Sequence, residues 1–142
     1  MKIQQISLFV ENKPGHIAAP TRLLAQEGID IRALYLADTQ QYGIVRMIVS
    51  DWQKAAKLLE SHGFVVKVTE VLAVEVPDHP GGLADVLKAL DGTGINIEYM
   101  YAFPYLRGAQ AILIFRFNDP DSAIAPLQTA GINLLANDEL LK

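Results

Sequence analysis

A short loop motif that occurs twice is the part of this sequence best suited to chemistry. Its first copy, Asn-Lys-Pro-Gly-His, spans residues 12–16, and its second copy, Asp-His-Pro-Gly-Gly, spans residues 78–82. Proline has no N–H group and a fixed φ, and glycine has no Cβ, so another molecule can approach this backbone closely. Each motif precedes a helical pattern, and the first N–H groups and the dipole of a helix favour a small anion. We therefore expect both loops to bind a carboxylate.

Acid and amide side chains supply the second half of the predicted chemistry. Asn12 and Asp78 lie two residues before the prolines and place a side-chain oxygen beside each loop. Asp30 and Asn96 each lie between two isoleucines, at the start of the next predicted strand. N–H groups that bind a carboxylate, together with oxygens that accept from an ammonium group, suit a zwitterion. The residues therefore predict a free α-amino acid as the ligand.

The spacing of these motifs reveals an internal duplication. Pro14 and Pro80 are 66 residues apart, and Gly28 and Gly94, which follow the predicted helices, are separated by the same 66 residues. Two independent landmarks with one offset indicate two copies of one structural unit. We predict two domains, covering residues 1–70 and 71–142.

Each repeat has the pattern strand-helix-strand-strand-helix-strand. The elements predicted in the first repeat cover residues 3–10, 17–27, 29–37, 42–49, 52–62 and 64–72. Those predicted in the second cover residues 71–76, 83–90, 95–103, 109–117, 120–130 and 132–135, followed by a tail over 138–142. This order predicts an α+β, ferredoxin-like fold, a four-stranded antiparallel sheet with both helices on one face. Pro20 requires the first helix to begin near residue 17 or to kink, and Pro126 is expected to bend the last helix.

The two motifs together resemble the ACT domain, the amino-acid-sensing module of many metabolic enzymes. The resemblance covers residues 12–17 with 28–31, and again residues 78–83 with 94–97, so it implies two tandem ACT domains with no enzyme domain attached. It also implies a ligand held between the Pro-Gly loop of one domain and the strand start of another. The ligand-binding residues predicted in this way are Asn12, Pro14, Gly15, His16, Ile17 and Asp30 in the first repeat, and Asp78, Pro80, Gly81, Gly82, Leu83 and Asn96 in the second.

Two departures from the family pattern bear on the ligand. Serine-sensing members carry a histidine two residues before the loop asparagine, where this chain has Val10 and Val76, so serine is not the expected ligand. Asp78 replaces the usual asparagine, and its charge would repel a carboxylate and attract an ammonium group. We therefore expect either unequal binding by the two repeats or occupation of only one kind of site, and the sequence does not name the amino acid.

Composition limits the remaining function classes. The net charge of −4 and the pI of about 5.3 argue against a nucleic-acid groove and against an anionic membrane surface. The chain has no cysteine, and no apolar run reaches the ~20 residues of a membrane span. We expect a cytoplasmic protein without metal, cofactor or catalytic residues. It is predicted to be a homodimer, because exposed sheet edges need cover, and a metabolic enzyme is a possible partner.

Alternative interpretations remain open at this point. The Pro-Gly loops could be structural turns, and His16 and His79 could be solvent-facing loop residues. The chain could then be a structural subunit that pairs with an enzyme without a ligand of its own. Acylphosphatase-like activity is a further alternative, but it needs an arginine in the first strand–helix loop, where this chain offers only Lys13.

Overall fold

The computed structural model describes residues 1–38 and 40–141, which divide into two compact units. One unit is Gln4–Thr69, and the other consists of Met1–Ile3 and Glu70–Lys142. The elements in chain order are β1 (Ile3–Glu11), α1 (Ala18–Gln26), β2 (Ile31–Asp38), β3 (Tyr42–Val49), α2 (Trp52–Ser61), β4 (Val65–Pro77), α3 (Gly82–Lys88), β5 (Ile97–Ala102), β6 (Gln110–Phe117), α4 (Pro120–Thr129), β7 (Leu134–Leu135) and α5 (Asn137–Leu140).

The unit Gln4–Thr69 has the predicted ferredoxin-like architecture. Its strand order is β2-β3-β1-β4, and β3 pairs antiparallel with both β1 and β2. One face of this sheet carries the core, where Leu8 lies opposite Val45 and Ile6 opposite Met47. Leu24 of α1 and Leu59 of α2 are fully buried in the same cluster. Both helices therefore cover one face of the sheet, as predicted.

The unit that contains Glu70–Lys142 repeats this plan. Its strand order is β7-β4-β6-β5, with antiparallel pairing throughout. Leu72 lies opposite Phe115 and Val74 opposite Leu113, and the same core cluster includes Val86 of α3 and Leu127 of α4. The α+β prediction of two ferredoxin-like copies is confirmed.

Local sequence signals account for the helix boundaries. Pro20 is the third residue of α1, a first-turn position where the missing N–H group costs no intrahelical hydrogen bond. Asp119 caps α4 by accepting hydrogen bonds from the Ser122 hydroxyl at 2.6 Å and from the Ser122 amide at 3.2 Å, and both bonds lower the pKa of this carboxyl. Pro126 lies inside α4, and its carbonyl accepts from the Ala130 amide at 3.2 Å.

The structure decides one strand boundary that the sequence left open and corrects one further stretch. Residues 64–72 and 71–76, predicted as a strand and a possible continuation, form the single strand β4. The prediction of an irregular tail over 138–142 is wrong for its first residues, because Asn137–Leu140 form the helix α5. Glu139 stabilises its start by accepting from the Ala136 amide at 3.2 Å. Lys142 lies outside the described residues.

Candidate functional site

The first Pro-Gly loop, between β1 and α1, is closed by three backbone hydrogen bonds. The Lys13 amide donates to the Glu11 carbonyl at 3.0 Å, and the His16 amide donates to the Lys13 carbonyl at 3.2 Å. The Ala19 amide donates to the Gly15 carbonyl at 3.4 Å. Gly15 has φ +82°, in the left-handed region that favours glycine.

The second loop, between β4 and α3, repeats these bonds at positions 66 residues further along the chain. The His79 amide donates to the Pro77 carbonyl and the Gly82 amide to the His79 carbonyl, both at 3.0 Å. The Asp85 amide donates to the Gly81 carbonyl at 2.9 Å. Gly81 has φ +87°, matching Gly15. The duplication therefore extends to the backbone geometry of the predicted site.

Each loop leaves the same three N–H groups without an acceptor in the part of the chain that the structure describes. They belong to Gly15, Ile17 and Ala18 in the first loop, and to Gly81, Leu83 and Ala84 in the second. The amides of His16 and Gly82, predicted site residues between them, are used inside the turns. A ligand at either loop would therefore bond the amides on both sides of this position.

Packing against the preceding strand requires glycine at position 82, independently of any ligand. A Cβ at this position would clash with the Pro77 carbonyl oxygen and lie 3.0 Å from the Pro77 carbonyl carbon. His16, the equivalent residue of the first repeat, carries a side chain and has no positive φ. The two loops thus have the same hydrogen bonds. They differ in how closely the end of the preceding strand approaches residue 16 in the first loop and residue 82 in the second.

A cleft of about 380 Å³ lies beside the first loop. The loop and the start of α1 form one wall, and the start of β4 forms the other. The lining residues are Phe9, Val10, Glu11, Lys13, Pro14, Gly15, His16, Ala19, Gly63, Phe64 and Val65. Phe9 and Val65 present apolar surface, being 40% and 65% exposed. The rim has one ion pair, between Lys13 Nζ and Glu11 at 3.4 Å. This cleft is therefore mainly apolar, with the Lys13–Glu11 ion pair and the His16 imidazole at its rim.

The second repeat has a cleft of the same size, about 380 Å³, in the equivalent place. Its lining residues are Glu75, Pro77, Gly82, Asp85, Val86, Gln110, Ala130, Gly131, Ile132 and Asn133. At the 66-residue offset, Glu75 replaces Phe9 and Asp85 replaces Ala19. Counted from the glycine after the second helix of each repeat, Asn133 stands where the first repeat has Val65. The Glu75 carboxylate forms an ion pair with Arg107 at 3.3 Å. The second cleft is therefore more polar and more acidic than the first.

Asp30 and Asn96 immediately precede β2 and β5, whereas the sequence predicted them within the first residues of these strands, and matching hydrogen bonds hold them. The Asp30 amide donates to Ser50 Oγ at 3.0 Å, and the Ser50 amide donates to the Asp30 carbonyl at 2.9 Å. The Asn96 amide donates to Asn118 Oδ1 at 2.9 Å, and the Asn118 amide donates to the Asn96 carbonyl at 3.0 Å. The Asp30 carboxylate also pairs with Arg32 at 3.2 Å.

Inside one unit, the structure does not bring these strand starts to the loop clefts. Asp30 is absent from the lining of the first cleft, and Asn96 lies at a separate depression of about 270 Å³. The site residues predicted for each repeat therefore form two separate groups, the Pro-Gly loop and the strand start.

Sequence reasoning missed the second wall of each cleft, residues 63–65 and 131–133. These segments are far from the loops in sequence, and their one shared signal is a glycine after the second helix of each repeat. The histidines of the two loops, His16 of the predicted set and His79, differ in their surroundings. His16 lines the first cleft, whereas His79 is exposed, with Nδ1 3.0 Å from the Pro80 carbonyl.

Two further properties concern residues 1–38 and 40–141. They contain no group of three or more His, Asp or Glu side chains placed to hold a metal ion. None of their helices is long and apolar enough to cross a membrane.

Comparison with known proteins identifies the architecture. A family model described as an ACT domain pair matches residues 1–142. The crystal structure of protein BT0572 from Bacteroides thetaiotaomicron is 39% identical, with a TM-score of 0.92 over 100% of this chain and 97% of that chain. The ligand-free regulatory subunit of aspartate kinase from Thermus thermophilus is 21% identical, with a TM-score of 0.64 over 89% of this chain and 91% of that chain. The corresponding subunit from Thermus flavus is 19% identical, with a TM-score of 0.60 and coverage of 90% and 92%. These two subunits share the fold. No curated protein matches the chain.

Proposed function

The chain belongs to the ACT domain pair family, and from that premise we propose that it is a non-catalytic regulatory protein that binds a free amino acid. The ligand would lie at an interface between ACT domains, against a Pro-Gly loop. The observation that carries this proposal is the set of unbonded loop amides, which recurs in both repeats with the same hydrogen-bonded frame.

These amides suit the α-carboxylate of an amino acid. A hydrogen bond from an amide to a charged group contributes about 1.5–3 kcal/mol, and the helix dipole adds roughly 0.3–1 kcal/mol for an anion near its N-terminus. Gly15, Ile17 and Ala18 belong to one short turn that three backbone bonds already hold in place. A carboxylate that binds there would order little additional backbone.

The ammonium group would be held by the strand start of another ACT domain. Asp30 is exposed and accepts from Arg32 through Oδ2, so its other oxygen can accept a further hydrogen bond. Asn96 offers an amide oxygen at the matching position of the second repeat. Because each unit keeps its strand start away from its own loop cleft, the proposed site needs two domains.

The first repeat is the better carboxylate site. Its rim carries His16 and a Lys13 charge that Glu11 balances. The second cleft carries Asp85 beside a Glu75 charge that Arg107 balances, and its loop adds Asp78. Two unit charges at about 4 Å interact by roughly 1 kcal/mol in water. Repulsion by Asp78 would therefore lower the affinity of the second loop for a carboxylate several-fold. The apolar wall of the first cleft favours an amino acid with an apolar side chain.

One observation favours a role in partner binding as a second candidate function. Tyr105 and Leu106, in the connection between β5 and β6, are 55% and 64% exposed. Neighbouring exposed apolar side chains of this kind are typical of protein contact surfaces. A structural subunit that regulates a metabolic enzyme without its own ligand would use such a surface.

Calorimetric titration with the twenty amino acids separates these functions. We expect at least one amino acid to bind, with one high-affinity site per chain because the first loop is the stronger carboxylate site. Binding of none would favour the structural subunit, and turnover of an acyl phosphate would favour an enzyme.

A further inference from the structure

Two exposed apolar side chains flank the cleft beside the first Pro-Gly loop. Phe9 is 40% exposed and Val65 is 65% exposed, and both line this cleft. Leu8 and Val10 belong to the core cluster, so alternation along β1 places Phe9 on the other face of the sheet. Core packing therefore does not account for the apolar residue at position 9. Exposed apolar side chains that lie together beside a cleft are typical of ligand-binding grooves.

Backbone hydrogen bonds fix the wall of the cleft that carries Val65. The Gly63 amide donates to the Glu60 carbonyl at 3.0 Å, and the Phe64 amide donates to the Leu59 carbonyl at 3.1 Å. These bonds close the C-terminal end of α2 immediately before β4 begins. The opposite wall is the Pro-Gly loop, which has three backbone bonds of its own. The cleft is therefore preformed, and a side chain that enters it orders little of the protein.

The second repeat builds the same frame with different side chains. The amides of Gly131 and Ile132 donate to carbonyls at the end of α4 at 2.9 and 3.0 Å, matching the bonds at the end of α2. Glu75 and Asn133 stand in place of the two exposed apolar residues. The Glu75 carboxylate is paired with Arg107 at 3.3 Å, and an apolar side chain there would remove water from charged groups without replacing its hydrogen bonds. Because the backbone frames agree, these side-chain positions distinguish the two clefts.

The first cleft is continuous with the predicted carboxylate site. Gly15 lines the cleft and also carries one of the unbonded amides. An amino acid whose carboxylate binds this amide can therefore extend its side chain into the cleft. The volume of about 380 Å³ is near the lower end of the range of small-molecule sites, about 300–1,000 Å³, and suits one side chain. Lys13 and Glu11 at the rim neutralise each other as an ion pair, which leaves no excess charge to attract a charged side chain.

Given the proposed function, on which this assignment rests, we propose that the first cleft receives the side chain of the bound amino acid. Phe9 and Val65 are the residues that determine specificity, and they favour a long apolar side chain. The second cleft, with Glu75 and Asn133 at these positions, discriminates against the same side chain. The two repeats thus differ in the side chain that they prefer as well as in their affinity for a carboxylate.

A straight-chain series of amino acids measures this apolar contact. Alanine, 2-aminobutyrate, norvaline and norleucine differ by one CH₂ group at each step and share the same carboxylate and ammonium groups. Full burial of one CH₂ group raises an affinity about fourfold. An open cleft covers part of each group, so we expect about two- to threefold per step. In isothermal titration of the wild-type chain, norleucine should therefore bind roughly tenfold to thirtyfold more tightly than alanine.

Substitutions at the two apolar positions test their role in specificity. Val65→Asn copies the second repeat, and Phe9→Gln replaces the aromatic ring by a neutral polar side chain. Each should lower the norleucine-to-alanine affinity ratio to about threefold or less. The ratio cancels changes in carboxylate binding, which all four amino acids share. Phe9→Leu keeps an apolar side chain and should restore most of the ratio, and circular dichroism checks that each variant is folded.

Val68→Asn is the matched control, because it makes the same substitution in the same strand. Val68 is 37% exposed and lies outside the lining of the first cleft, so its replacement should leave the ratio unchanged. A wild-type ratio below about twofold, an unchanged ratio in both Phe9→Gln and Val65→Asn, or an equal fall in Val68→Asn would overturn the assignment. So would binding at the loop by other amino acids alone. In each of these cases the proposed function would stand, whereas binding of no amino acid would overturn both.

Discussion

Replacing Gly15 by alanine tests the role of the Pro-Gly loop. Gly15 has φ +82°, and a Cβ at this position would meet no atom within 4 Å. The substitution therefore costs backbone strain, roughly 1–2 kcal/mol for a residue with a side chain in the left-handed region, without a steric clash. A domain with a stability of about 5–15 kcal/mol remains folded after this loss. The new methyl group would project into open space next to the amide of Gly15 itself.

The expected effect on binding is larger than the effect on folding. A methyl group that keeps a carboxylate from the Gly15 and Ile17 amides removes about two charge-assisted hydrogen bonds. At 1.5–3 kcal/mol each, their loss weakens the affinity by roughly a hundredfold or more. Isothermal titration with the amino acid that binds the wild-type chain measures this loss, and urea denaturation measures the change in stability.

Gly28→Ala is the matched control for this experiment. Gly28 has φ +67° and open space around its Cβ position, but it lies after α1, outside the loop. It should show a similar loss of stability and unchanged affinity. Wild-type affinity in Gly15→Ala, or an equal loss of affinity in Gly28→Ala, would refute the assignment of the ligand to the Pro-Gly loop.

Three further predictions concern the second repeat. Gly82→Ala should lower the free energy of unfolding by roughly 1–3 kcal/mol, because the methyl clashes with the Pro77 carbonyl; a loss below about 0.5 kcal/mol in urea denaturation would contradict this. Asp78→Asn should strengthen carboxylate binding at the second loop by several-fold, seen as a second binding event in calorimetry, and an unchanged titration would count against the charge argument. The pKa of Asp119 is lowered by its hydrogen bonds to Ser122, so its stabilising contribution is present above the ordinary carboxyl pKa and is lost as the pH falls through the lowered value. Between about pH 5 and pH 2, the Asp119→Asn variant should therefore lose less of its free energy of unfolding than the wild-type chain. Equal losses in urea denaturation across this pH range would disprove this.

Much of the fold follows from short-range signals in the sequence. The 66-residue offset between Pro14 and Pro80 predicts that the two halves share one architecture, and the alternating apolar residues place the strands. Pro20 left two possibilities for the first helix, and the structure selects the one in which proline occupies the first turn. The sequence left the continuity of β4 open, because residues 64–76 contain no glycine or proline that would mark a break, whereas the duplication places a domain boundary at residue 70.

The candidate site was less predictable than the fold. The motif predicts a loop with accessible amides, but only the three-dimensional turn shows that the His16 amide is used internally while those of Gly15 and Ile17 are not. The clefts depend on contacts between segments about fifty residues apart in the chain. Hydrophobic periodicity describes one element at a time and carries no information about such pairs of segments. The difference between Phe9 and Glu75 acquires meaning only once both are seen to line equivalent clefts.

Backbone amide shifts in an ¹⁵N-labelled sample test the central claim most directly. During titration with the twenty amino acids in turn, the account predicts that one amino acid shifts the amide resonances of Gly15, Ile17 and Ala18 strongly and saturably. The His16 amide, already bonded to the Lys13 carbonyl, should respond less. If no amino acid moves these resonances, or if the bound amino acid shifts a different region and leaves Gly15 unchanged, the Pro-Gly loop is not the amino-acid site.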